Sequence, residues 1–187
     1  MPQTEDALFY QLYFQSPGIA EAEFERDVRL SIRSLLYSVS GDAPRRENRE
    51  GAREEVGMVP RRGGFLSRLM NPASLPPWIT EADVDFYVSE FTRTGFRGPL
   101  NWYRNIDRNW ELLAPMAAAT VAVPALYIAG DRDLVLAFRG MDQIIASLSK
   151  FVPRLQGTVV LPGCGHWTQQ ERAREVTKAM IDFVRRL

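Results

Sequence analysis

Two apolar, strand-like runs near the C-terminus, residues 121–129 (VAVPALYIA) and 158–161 (TVVL), constrain the fold of this chain most. Both are continuous apolar runs rather than alternating ones, the pattern of a strand buried on both faces. A helical pattern follows each, over 136–148 and over 171–187, where Val176, Met180, Phe183, Val184 and Leu187 share one face. Strand, helix, strand, helix is the texture of a parallel α/β sheet. Two parallel strands alone leave both edges unpaired and are not stable. These strands are therefore expected to take neighbours from another segment of polypeptide or to self-associate.

The residues before about 115 read as all-helical. Residues 20–37 read as one helix burying Phe24, Val28, Ile32, Leu35 and Leu36. Thr80 is a cap for a second helix with Glu81 and Asp83 in its first turn. Val84, Tyr87, Val88 and Phe91 make its apolar face, and Gly95 ends it. Between these helices, residues 41–64 hold six arginines and five acids and are expected to form a solvated loop. The acids interleave with the arginines, which argues against a basic binding patch.

Composition narrows the class. Formal net charge is zero, so neither a nucleic acid nor an anionic membrane is an expected partner. One cysteine excludes an internal disulfide and fits a reducing cytoplasm. One histidine and one cysteine cannot make a zinc site of the usual spacing. Residues 116–129 fall short of the ~20 apolar residues of a membrane span and contain Pro124. The opening MPQTEDALFY lacks the basic start and apolar core of a signal peptide, so a cytoplasmic protein is expected.

Ionisable residues follow both strands. Asp131 and Asp133 come after the first, in AGDRD (129–133), and His166, the sole histidine, comes after the second, in GCGHW (163–167). Open α/β sheets place their sites in such loops, beyond the C-terminal ends of strands. A carboxylate bonded to one ring nitrogen fixes the histidine tautomer and stabilises the imidazolium, leaving the other nitrogen as a general base. Asp133 is the favoured partner for His166, and Asp131 the rival, with a turn as its alternative use. A tyrosine hydroxyl, neutral near pH 7, can donate to a developing alkoxide. Spacing alone does not choose among the six tyrosines. Cys164 stands too close to His166 in sequence to align as a nucleophile.

Three segments carry a resemblance. FYQLYFQ (9–15) followed by PGIAEAE (17–23), and GFRGPLNWYRN (95–105), resemble the cap domain of soluble epoxide hydrolases of the α/β-hydrolase superfamily. GCGHWTQ (163–169) resembles that family's histidine loop. The resemblance covers nearly the whole chain apart from 41–64 and part of 140–157. It implies a partial α/β-hydrolase fold: a helical cap over 1–115, then the last two βα units of the core over 116–187.

The resemblance also implies roles. Tyr10 and Tyr103 match the cap tyrosines that hold the epoxide oxygen, Asp133 the acid that orients the histidine, and His166 the base that activates water. Phe9, Gln11, Trp102 and Trp167, beside these residues, are expected to bind substrate. The family forms an alkyl ester on an aspartate of a Gly-x-Asp-x-Gly elbow, hydrolyses it to a vicinal diol and uses no cofactor. Neither that elbow nor the family's His-Gly-x-Pro turn occurs in this sequence. The chain alone is therefore expected to have little or no activity. A small lipophilic epoxide is the expected substrate, given Phe9, Tyr13, Phe14, Trp102 and Trp110. The alternatives are another cap-bearing α/β-hydrolase, such as a dehalogenase, and a non-catalytic binding or assembly module derived from the cap.

Overall fold

The computed structural model describes residues 1–44 and 56–187. They fall into two compact units: Met1–Ser38 with Gly57–Pro115, and Val39–Val56 with Met116–Leu187. The second unit thus takes in a segment that a single division at residue 115 leaves out. Its described part is held there by the His166 N–H, which donates to the Val39 carbonyl at 3.0 Å, and by the Arg132 guanidinium, which donates to the Ala43 carbonyl at 2.9 Å.

The first unit opens with β1 (Ala7–Phe9) and α1 (Tyr10–Tyr13), followed by α2 (Ile19–Glu25) and α3 (Val28–Ser38). Where one helix over 20–37 is expected, two form. Asp27 Oδ1 accepts the Leu30 N–H at 2.9 Å and starts a new helix there. The unit is also not all-helical. β2 (Met58–Pro60) pairs antiparallel with β1, with Leu8 opposite Val59. The solvated loop expected over 41–64 thus ends in a strand whose Val59 is buried; residues 45–55 lie outside the described residues.

Next come α4 (Glu81–Thr94), α5 (Arg97–Arg104) and α6 (Ile106–Leu113). Thr80 and Asp83 cap α4 reciprocally, side chain to backbone. The expected face of α4 is the buried one: Val84 is fully buried, and Tyr87, Val88 and Phe91 pack around it. The core joins Phe14, Phe24, Ile32, Val84, Phe96 and Leu100. Phe14 is therefore core rather than substrate surface, and Tyr13 packs against the same cluster.

The second unit contains β3 (Ala125–Gly130) and β4 (Leu155–Leu161), which pair in parallel with Ile128 opposite Val159. β3 starts later than the apolar run because Pro124 has no N–H for the ladder. Between them a 3₁₀ turn over Leu134–Ala137 precedes α7 (Met141–Ala146) and α8 (Leu148–Phe151). Gly140, at φ 86°, interrupts the single helix expected over 136–148. α9 (Thr168–Glu171) and α10 (Ala173–Val184) close the chain. They divide at Arg172, whose φ of −136° is not helical. Leu161, Cys164 and Val176 form the small core of this unit. No helix among the described residues is long and apolar enough to cross a membrane.

Candidate functional site

The parallel pairing of β3 and β4 brings their two following loops side by side. The Arg132 N–H donates to the Cys164 carbonyl at 2.8 Å, and the Gly163 N–H donates to Asp131 Oδ1 at 2.7 Å. Asp131, the rival acid of the sequence reading, is thus occupied in tying one loop to the other. Asp133 Oδ1 accepts the Val135 N–H at 2.9 Å, capping the 3₁₀ turn, and both its oxygens reach His166 Nδ1, at 3.1 and 3.2 Å. With Asp133 ionised, Nδ1 carries the proton and donates, so the neutral ring presents Nε2 as an acceptor.

The electrostatics favour ionisation of both partners. Burial pushes the Asp133 carboxyl up, but hydrogen bonds from His166 and the Val135 N–H outweigh it and leave it below its ordinary value. The hydrogen bond to Asp133 raises His166; burial opposes the rise, and the charges of Asp133 and Glu171 add to it. Burial lifts the Cys164 thiol to about 11, with the charge of Glu171 adding to the rise. Cys164 therefore stays protonated and fills core space.

In the other unit, Tyr10 and Tyr103 meet edge to face, with ring centroids 5.7 Å apart. Tyr10 stands where β1 passes into α1, its N–H donating to the Gly57 carbonyl at 2.8 Å. Tyr103 sits in the last turn of α5. Gln15 Nε2 joins the two elements by donating to the carbonyls of Gln11 and Tyr103, both at 2.9 Å. Arg104 adds a second link. Its Nε donates to the Phe14 carbonyl at 2.9 Å, and its guanidinium forms a two-pronged ion pair with Glu21 at 2.6 and 2.9 Å. Desolvation and the neighbouring Tyr10 raise the Tyr103 phenol, so it remains a neutral donor at pH 7.

The expected substrate residues fall in different settings. Gln11 Nε2 donates to the Tyr10 hydroxyl at 3.2 Å, and the Phe9 ring lies 4.6 Å from that of Tyr10. Trp167 meets the His166 ring edge to face at 5.0 Å. Trp102 faces outward and is 80% exposed. Gln15, Arg104 and Glu171 carry no signal in the sequence, because their roles depend on partners distant along the chain. No group of residues capable of holding a metal ion occurs among the described residues.

No family model matches the chain. It is similar to Epoxide hydrolase A of Mycobacterium tuberculosis, 45% identical over 94% of this chain and 52% of that protein. It is also similar to Bifunctional epoxide hydrolase 2 of Mus musculus, 35% identical over 94% of this chain and 29% of that protein. Among solved structures, Epoxide hydrolase A from Mycobacterium thermoresistibile matches 97% of this chain and 53% of its own, with a TM-score of 0.82 and 42% identity. An epoxide hydrolase from an endophytic Streptomyces matches the same shares, with a TM-score of 0.85 and 39% identity. The chain thus spans about half the length of Epoxide hydrolase A of Mycobacterium tuberculosis and under a third of Bifunctional epoxide hydrolase 2.

Proposed function

The chain corresponds to the cap and the Asp/His part of the core of soluble epoxide hydrolases, and from that premise we propose that it carries two of the three functional groups of epoxide hydrolysis. The Tyr10 and Tyr103 hydroxyls donate to the epoxide oxygen as the C–O bond breaks and charge develops there. The nucleophilic aspartate comes from a further stretch of polypeptide bearing the elbow, and it attacks a ring carbon to give an alkyl ester. His166, held by Asp133, takes a proton from water, which attacks the ester carbonyl and releases the diol. Phe9, Gln11, Trp102 and Trp167 contact a lipophilic epoxide. No cofactor enters these steps.

The observation that carries this reading is the contact of His166 Nδ1 with the Asp133 carboxylate at the ends of two parallel strands. The tyrosine pair favours epoxide over halide chemistry, because an alkoxide leaving group needs a proton donor and a halide does not. The occupant of the open strand edges is the remainder of the hydrolase core. In support, Val160 of β4 is more than half exposed, and Epoxide hydrolase A of Mycobacterium tuberculosis is about twice as long as this chain. Nucleophile, base and acid act as a unit, so the chain alone has little or no turnover. The test is to assay aryl and alkyl epoxides with the chain alone and with an added N-terminal half of a relative carrying the elbow. Diol formation only in the mixture supports the proposal, and turnover by the chain alone that survives His166→Ala overturns it.

A further inference from the structure

Three consecutive backbone N–H groups around the histidine all have partners. Gly165 N–H donates to Glu171 Oε2 at 2.8 Å, His166 N–H to the Val39 carbonyl at 3.0 Å, and Trp167 N–H to Glu171 Oε1 at 3.0 Å. The same Glu171 Oε2 accepts the N–H of Gly41 at 2.8 Å. One carboxylate therefore gathers the residues on both sides of His166 and a segment more than a hundred residues earlier. Glu171 is 7% exposed, an unusual place for a carboxylate unless its lone pairs are satisfied.

The glycines at this junction have no room for a side chain. A Cβ on Gly41 would lie 2.1 Å from the Gly163 carbonyl oxygen, and one on Gly165 would lie 2.4 Å from the Gly41 nitrogen. Residues 39–41 and the histidine loop therefore pack main chain against main chain, and Glu171 occupies their junction.

We propose that Glu171 is the positioning residue for His166: its buried carboxylate clamps the amides of Gly165, Trp167 and Gly41, and so fixes the backbone from which the imidazole reaches Asp133. This inference rests on the reading of His166 as the water-activating base. Asp133 sets the ring and Glu171 sets the main chain. A base must hold its lone pair within hydrogen-bond reach of the water, which requires both. The charged groups acting on the ring are Asp133 and Glu171. The Arg172 guanidinium is directed elsewhere, donating to the carbonyls of Glu171 and Gly163.

His166 is the only histidine, so its ring resonance in proton NMR reports one group directly. In Glu171→Gln the amide group cannot accept all three N–H groups. The amides of Gly41, Gly165 and Trp167 should exchange with solvent roughly tenfold faster, and the titration midpoint of His166 should fall. A folded Glu171→Gln protein with unchanged exchange and an unchanged midpoint overturns the proposal. If that variant does not fold, the unsubstituted chain decides. The amides of Gly165, His166 and Trp167 should be strongly protected there, and exchange at the rate of an unstructured peptide overturns the proposal. Asp133→Asn separates this inference from the reading beneath it. That change should lower the midpoint while leaving the clamped amides protected. A midpoint that Asp133→Asn does not move defeats the assignment of the His166–Asp133 pair, independently of what the amides show.

Discussion

His166 Nδ1 lies 3.1 Å from Asp133 Oδ1, and the two residues come from loops that follow adjacent parallel strands. This contact raises the histidine and lowers the aspartate, and each shift has a sign that can be measured.

The raised His166 value sets two pH dependences. A histidine whose folded value exceeds its unfolded value of about 6.5 contributes stability that is fully present below that pH. The contribution is lost as pH rises from about 6.5 through the folded value. Denaturant unfolding across this window should show stability falling with pH, and Asp133→Asn should flatten the slope. In an enzyme completed by an added N-terminal half carrying the elbow, the base is protonated below its folded value. Ester hydrolysis should therefore fail on the acid side at a pH above 6.5, and stopped-flow hydrolysis of a preformed ester measures that limb.

The tyrosine pair should act on the other step. In the completed enzyme, Tyr10→Phe with Tyr103→Phe removes the donors to the developing alkoxide. Loss of one such donor typically costs about 10²–10³-fold in rate. Single-turnover measurements should show slower ester formation, with hydrolysis of the ester little changed.

Arg104→Ala should destabilise the first unit. It strips the partner from Glu21, and both side chains of this pair are only 12% exposed. The expected loss is about 1.5–3 kcal/mol, typical of a hydrogen-bonded charged contact. It should appear as a lower denaturation midpoint with unchanged denaturant sensitivity.

The open strand edges should make the isolated chain self-associate and bind hydrophobic dyes. Adding the complementary half should reverse both effects in size-exclusion chromatography. A compact monomer with a sharp unfolding transition and no dye binding would contradict this.

The Asp/His part of the candidate site was legible in the sequence because its signals are local. Loops after continuous apolar runs marked Asp131, Asp133 and His166, and Thr80 with Asp83 marked the start of α4. Long-range features were illegible for the same reason. β1 and β2 are short and find each other across nearly fifty residues, so neither looks like a strand alone. The break between α2 and α3 turns on one aspartate, Asp27, inside a pattern that is otherwise helical. Glu171 looks like an ordinary first-turn acid, and its burial against the distant Gly41 distinguishes it. Asp131 and Asp133 are equivalent by composition, and the direction of the loop separates them.

The most direct test of the account is mass spectrometry of the completed enzyme carrying His166→Gln, mixed with an epoxide. Without the base, the aspartyl ester should form and then accumulate, and the protein should gain the mass of one substrate molecule. A folded His166→Gln enzyme that accumulates no adduct would show that His166 is not the water-activating base.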